Sequence, residues 1–509
     1  MLAQLHQWIG QLLSWIGLGP LVDWFRHQRD FALILPQVQL GIFGLGILLT
    51  DFLLDRKSRH WNALLALFGV GFSGAALWNL TNLEDVRGYS GAIIVDPFAV
   101  FFGFLFLISA ALVILLSVRY LEIEEEDHGE FYALLLFATI GMMFLASGND
   151  LITLFLGLET MALSFYVLSG FLRGRKASNE AAVKYLLLGA FSSGILAYGF
   201  SLMYGIAGST NLVRIAQAFA TRPPGDVLVL ISLVTVSAGL FFKIAAVPFH
   251  MWAPDVYEGA PTSVTASISV ASKAASFALL LRLFCTAFWP VRPEWEMVVA
   301  AVAVASMTIG NFGALTQNNL KRMLAYSSIA HVGYMLLGLV AGTPNGFKGI
   351  AVYLLVYVFM NTGAFAIIIV LRREGLIGDN IEDLNGLISR RPAAAVLLLL
   401  FMLSLAGIPP TAGFIGKYFI FVSLIETNHY ILAIFAALYI APALYYYFRI
   451  VVHAWMKEPT DKTRPAISVG QWVALGACSV IILWAGVLPQ RFINIAGSTL
   501  QSQFLQLLR

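Results

Sequence analysis

Apolar residues run through this chain in blocks of about twenty, separated by short polar connections. Fourteen such blocks fall at 32–54, 61–80, 97–119, 131–147, 150–171, 181–207, 227–247, 261–285, 295–315, 322–341, 347–371, 392–420, 428–454 and 468–489. About twenty residues of helix match the thickness of bilayer hydrocarbon, so each block predicts a membrane-crossing helix. The connections leave no room for a separate soluble domain. The expected fold class is therefore an all-α polytopic membrane protein with about 14 transmembrane helices, forming one domain over residues 31–509. Residues 1–30 read differently. Leu5, Trp8, Ile9, Leu12, Leu13, Trp15 and Ile16 fall at helical spacing with Gln4, Gln7, Gln11 and Ser14 opposite, which predicts a helix lying in the membrane interface. No basic residue opens this segment, which speaks against a cleaved signal peptide, and Arg26, His27, Arg29 and Asp30 speak against a fifteenth crossing.

Composition agrees with the pattern. Hydrophobic residues make up 59% of the 509 positions and charged residues 12%, too little polar surface for a water-soluble protein of this length. Cys285 and Cys478 lie inside spans and offer neither a disulfide framework nor a metal spacing. With no Walker loop, CxxC or GxGxxG run, the chain is expected to hold no nucleotide, flavin, metal or iron–sulfur cluster, and nothing points to nucleic acid. Lys and Arg set the orientation. Connections after odd-numbered spans carry 16 of them, whereas the termini and the remaining connections carry 9. Positive-inside bias therefore predicts both termini on the outer side. The acidic connection EIEEEDHGE at 122–130 runs against the bias, although acids weigh little in this rule.

An internal repeat is also visible. Residues 159–170, ETMALSFYVLSG, align with 327–338, SSIAHVGYMLLG, at an offset of 168, which also brings Tyr185-Leu186-Leu187 onto Tyr353-Leu354-Leu355. Ala245 and Pro248 match Ala406 and Pro409 at an offset of 161. Five spans separate equivalent positions, and five is odd, so the second copy is expected to run upside down. This predicts inverted repeats at roughly 131–285 and 295–454, with broken helices 7 and 12 at the prolines. Transporters built this way place their sites at the breaks.

The charges inside spans are the candidate chemistry. They are Glu159, Lys184, Lys243, Lys273 and Lys417, with His250 and His331. A lysine near the bilayer centre costs about 2.5–3.5 kcal/mol on insertion scales, so four of them call for water, counter-charge or function. Snorkelling to the interface accounts for Arg282 and Arg449, which lie near span ends. It does not account for Lys273, flanked by apolar or small residues in both directions. Low dielectric favours a neutral amine, which lets a buried lysine exchange its proton near neutral pH, and histidine does so unaided. Backbone freed at Pro248 and Pro409 would hold the water that proton transfer needs. Binding to neighbouring helices is the structural alternative for the lysines.

These residues sit in runs that resemble the antiporter-like membrane subunits of bacterial proton-pumping NADH:quinone oxidoreductase, respiratory complex I. The runs are LFLGLETMALSFYVLSG (154–170), NEAAVKYLLLGAFSSG (179–194), FKIAAVPFHMWAPDVYEGAPT (242–262), NNLKRMLAYSSIAHVGY (318–334) and LAGIPPTAGFIGK (405–417). The PDVYEGAPT run with Lys417 favours the subunit N branch. The resemblance implies two inverted five-helix bundles and proton translocation driven by redox chemistry in other subunits. FMN, iron–sulfur clusters and quinone are then expected in those partners, with none in this chain. It implies neighbouring antiporter-like and small membrane subunits as partners in the bacterial inner membrane. It also implies roles. Glu159 pairs with Lys184, Lys243 answers that pair, Lys273 is the central proton site, Lys417 leads to one side, and His250 and His331 are candidate relays. A multisubunit cation/proton antiporter, a ferredoxin-linked photosynthetic complex and a non-pumping scaffold are the competing readings.

Overall fold

The structure is a computed structural model describing residues 29–54, 58–83, 85–372, 378–459 and 466–504. The expected interfacial helix at 1–30 lies almost wholly outside the described residues. Helices that cross the membrane in succession are α1 (Arg29–Asp51), α2 (His60–Asn79), α3 (Pro97–Ile123), α4 (Gly129–Ser147), α5 (Leu151–Ser169) and α6 (Lys176–Ala207). A short antiparallel hairpin, β1 (Val86–Gly88) with β2 (Ile93–Val95), joins α2 to α3. The amphipathic α7 (Leu212–Ala220) lies between α6 and α8 (Val227–Ile244), and α9 (Trp252–Gly259) follows α8. Beyond it run α10 (Thr262–Ala287), α11 (Arg292–Leu315), α12 (Leu320–Ala341) and α13 (Pro344–Leu371). The chain continues through α14 (Pro392–Ala406), α15 (Ala412–Glu426), α16 (Tyr430–Met456), α17 (Val469–Val487) and α18 (Gln490–Phe504). Thirteen of the described helices are long and apolar enough to span. The expected span at 392–420 is split into α14 and α15.

Side-chain caps set where many spans begin. Asp96, Asp150, Asp226, Asn319 and Ser468 each accept a backbone N–H from the first turn of the following helix. The middle of the protein is α10, α12 and α13, which other helices enclose almost completely. Large apolar side chains of α1, α5, α6, α8 and α16 are instead exposed, as befits a surface solvated by lipid.

Two halves of the chain repeat the same backbone contacts. Asp150 bridges to Asn211, and Asn319 bridges to Asn380. Adding 169 to the first pair gives the second. Glycines follow the same register. A Cβ on Gly141 would meet Gly157 O and Met161 N at 2.5 Å, and one on Gly310 would meet Tyr326 O at 2.8 Å and Ala330 N at 2.5 Å. Such contact lets two helix backbones touch, and only glycine allows it. Helix α8 ends on Ala245 at φ 58 and α14 on Gly407 at φ 83, both left-handed, an offset of 162. Each backbone register is thus one residue longer than the sequence identities indicate. Five crossings separate Leu151 from Leu320, so the two bridges lie on opposite faces.

Candidate functional site

Lys243, Lys273 and Lys417 are 6%, 2% and 4% exposed, so none reaches the lipid or the interface. Among the described residues no carboxylate forms an ion pair with any of them. Lys243 lies one residue before the end of α8 and donates to Ser193 Oγ at 3.1 Å and Tyr166 OH at 3.3 Å. Lys273 lies mid-way along α10, directly after a π-helical turn at Ile268–Ser272, and donates to Ser328 Oγ at 2.8 Å. Such turns recur at functional sites because they displace one helical residue from its normal register. Lys417 reaches from α15 back to the end of α14. It donates to the carbonyls of Ala406 at 2.8 Å and Leu405 at 3.4 Å, which the helix break leaves free.

Hydroxyls and rings fill the gaps between the lysines. Tyr166 packs edge-on against Tyr185 at 4.8 Å, and Ser272 stands at the Tyr185 hydroxyl. Ser328, which receives the Lys273 bond, has the hydroxyls of Tyr257 and Tyr357 close by. His331 bonds Tyr353 through Nδ1 at 2.5 Å and Tyr447 through Nε2 at 3.0 Å, and the charges of Lys273 and Lys417 both act on it. Several buried polar atoms on α9, α10 and α13 lack a hydrogen-bond partner within the protein, namely the hydroxyls of Tyr257, Ser263, Ser267, Tyr357 and Thr362 and Asn361 Oδ1, and the Tyr257 ring lies 6.0 Å from Lys273 Nζ. Polar atoms left so in a dry core are costly, and ordered water is what satisfies them.

Glu159 and Lys184 do not pair. Lys184 is held by Glu180 at 2.7 Å and Asp255 at 2.8 Å. Glu159 keeps a buried Oε1 without a partner and acts electrostatically on Lys243 and Tyr166. The physical reason is position. Lys184 lies about two turns from the start of α6, level with α9, whose Asp255 meets it there. Asp255 is shared, since Arg322 at the start of α12 binds it at 2.7 Å and Glu258 at 2.9 Å. Burial works against ionisation of Asp255, but the bonds from Lys184 and Arg322 more than offset it and hold the carboxyl below its ordinary range.

His250 lies between α8 and α9 with a buried Nδ1 lacking a partner. Lys243 and Lys273 donate to hydroxyls and not to His250. Arg282 does not snorkel. It is 3% exposed and forms a two-armed ion pair with Asp96 at 2.7 and 2.8 Å, above the Phe98 ring. Arg449 likewise turns inward and donates to the terminal carbonyl of α11 and to Gln317 O. Sequence reasoning missed Tyr166, Ser193, Ser328, Tyr353 and Asp255. Serine and tyrosine are ordinary in membrane helices and raise no alarm, and Asp255 lies outside any apolar block.

The family model described as NADH:quinone oxidoreductase/Mrp antiporter, TM, matches residues 148–441. NADH-quinone oxidoreductase subunit N 2 of Solibacter usitatus is 53% identical over 94% of this chain and 98% of its own length. Subunit N 1 of Koribacter versatilis is 54% identical over 93% and 96%. A chain of respiratory complex I from Thermus thermophilus with bound aureothin superposes with a TM-score of 0.78 at 33% identity, covering 91% of this chain and 99% of that one. A chain of the Mrp complex of a Dietzia species gives 0.79 at 22% identity, covering 92% and 97%, which is likeness of fold.

Proposed function

Because the chain belongs to the subunit N family of NADH-quinone oxidoreductase, we propose that the buried row of lysines, hydroxyls and His331 is its proton path. The protein is a proton-translocating membrane subunit of complex I, set in the bilayer beside other membrane subunits. Three lysines without carboxylate partners, strung through His331, carry the reading. Redox chemistry is assigned to partner subunits holding flavin, iron–sulfur clusters and quinone, and this chain supplies proton transfer alone. The membrane is the bacterial inner membrane, with both termini outside.

Each step is a proton exchange between an amine, a hydroxyl or an imidazole and its neighbour, with water completing the gaps. The driving signal is electrostatic. Two like charges about 7 Å apart interact by about 2.4 kcal/mol at an effective dielectric of 20, enough to displace a proton equilibrium more than tenfold. Charge arriving near Glu159 acts on Lys243 directly, and the proton then moves toward Lys273, His331 and Lys417. Lys184 enters through Asp255, which fastens α9 beside the break.

Lys273→Ala tests the reading. In purified complex carrying normal flavin and iron–sulfur content, quinone reduction coupled to proton uptake should fall sharply while assembly stays normal. Full coupled pumping by this variant would show that the row is not the path.

A further inference from the structure

Resting on that reading, we infer that Tyr447 and Ser327 form a second proton branch, joining His331 to the inner face without passing Lys273. Tyr447 on α16 bonds His331 Nε2 at 3.0 Å, and its hydroxyl also bonds Ser327 Oγ, one helical turn from His331 along α12. The Tyr446 hydroxyl stands beside the same two groups and donates to Asn311 Oδ1 at 3.4 Å. Tyr447, Ser327, Tyr446 and Asn311 are at most 1% exposed, and His331 is 3% exposed. Hydroxyls bury readily at a single hydrogen bond each, so packing alone does not call for Ser327 and Tyr446 to gather at the Tyr447 hydroxyl that bonds the imidazole.

Direction follows from the helices. His331 is near the middle of α12, whereas Ser327 is one turn closer to Leu320. Asn311 lies one turn from the end of α11 at Leu315, and Tyr446 lies one turn from Arg449. The loop joining α11 to α12 belongs to the face carrying the Lys and Arg excess, which is the inner one. The last gap ends at Arg449, whose guanidinium binds the carbonyls of Leu315 and Gln317 and whose Nε is buried without a protein partner. A buried donor of this kind is what an ordered water completes. Transfer along the branch is balanced. Tyr447 gives its hydroxyl proton to His331 Nε2 as it receives one from Ser327, which is resupplied from the inner side. His331 then releases its Nδ1 proton to Tyr353, which gives up its own hydroxyl proton toward Lys417 as it does so.

Tyr447→Phe removes one oxygen and keeps the ring, and Ser327→Ala removes the adjoining one. Turnover per assembled complex and proton uptake would be measured in reconstituted vesicles in H2O and D2O, beside Lys273→Ala. The branch requires turnover per complex to fall at least about tenfold in Tyr447→Phe, with a larger solvent isotope effect than wild type. Unchanged turnover per complex, at whatever assembly level, overturns it, as does a fall without a larger isotope effect, which is a packing defect. If Tyr447→Phe fails to assemble, Ser327→Ala decides by the same criteria. Wild-type turnover in Tyr447→Phe with lost pumping in Lys273→Ala rejects the branch alone. Pumping retained in Lys273→Ala rejects the main path.

Discussion

At the scale of single residues, the buried charges divide into those held by a partner and those left without one. Arg282 and Asp96 belong to the first kind, and Arg282→Gln leaves the Asp96 carboxylate, 0% exposed, without its guanidinium. Breaking a buried pair from one side costs about 3–5 kcal/mol, so this variant should be scarce on a native gel while whatever assembles turns over normally. Glu159 belongs to the second kind. Since Glu180 and Asp255 already neutralise Lys184, Glu159→Gln strands no cation. It should therefore assemble at wild-type level while turnover per complex drops, because the charge acting on Lys243 is gone. Low assembly with unchanged turnover would make Glu159 structural. The lysines were legible in the sequence because an ammonium inside an apolar run stands out. Their partners were not, because contact between helices is no property of spacing: Asp96 lies 186 positions from Arg282 and Asp255 lies 71 from Lys184. The pairing of Glu159 with Lys184 was implied by the family resemblance alone, and the acids that bind Lys184 are Glu180 and Asp255, the latter outside any apolar block.

At the scale of elements, the many spanning helices, thirteen of them among the described residues, could be read from the apolar blocks, since these depend on local chemistry. The repeat register could not be read to the residue. In Leu-rich helices a one-residue slip still matches apolar to apolar, whereas the backbone bridges of Asp150 to Asn211 and Asn319 to Asn380 count every position. Helix α9 was not foreseen as a separate element at all. Eight residues of helix are marginal alone, and here α9 is clamped by Lys184 and Arg322 on Asp255, by Arg322 on Glu258, and by Lys321 on the Ala260 carbonyl at 3.0 Å. The clamp depends on ionised Asp255. Because its carboxyl is held below the ordinary range, the stabilisation is complete above about pH 4 and is lost as pH falls through the lowered value. Hydrogen exchange over residues 250–261, corrected for intrinsic rates, should be slow and pH-independent from about pH 5 to 8 and should quicken in more acid solution. Arg322→Gln should quicken it already at pH 7. Equal protection in the variant and the wild type would mean that packing of Trp252 and Tyr257, not the ion pairs, holds α9.

At the scale of the whole molecule, the structure states which connections share a face, and positive charge then says which face that is. Glu124, in the acidic connection that runs against the bias, binds Arg372 at 2.6 Å and Arg175 at 2.6 Å. Glu130 meets Arg173 at 3.5 Å. Acids of this connection are therefore counter-ions for the basic connections at 170–175 and 372–391, and they sit with those basic residues on one face. That removes the conflict, because acids paired to inner arginines need the same side. The hairpin β1–β2 marks the opposite face. Ile93 bridges to Gly148, and the connection at 148–150 is in turn bridged to Asn211. Fourteen crossings, the number expected, would return the C-terminus to the side of the N-terminus, which the charge bias puts outside together with the hairpin. A single cysteine placed after Arg509, in a background with Cys285 and Cys478 replaced by serine, should accordingly react with an impermeant maleimide in intact cells. A second cysteine variant at Glu125, on the acidic connection, should react only after lysis. The reverse pattern would turn the molecule over, and the branch at Tyr447 would then open to the outside and could deliver no proton from the inner face.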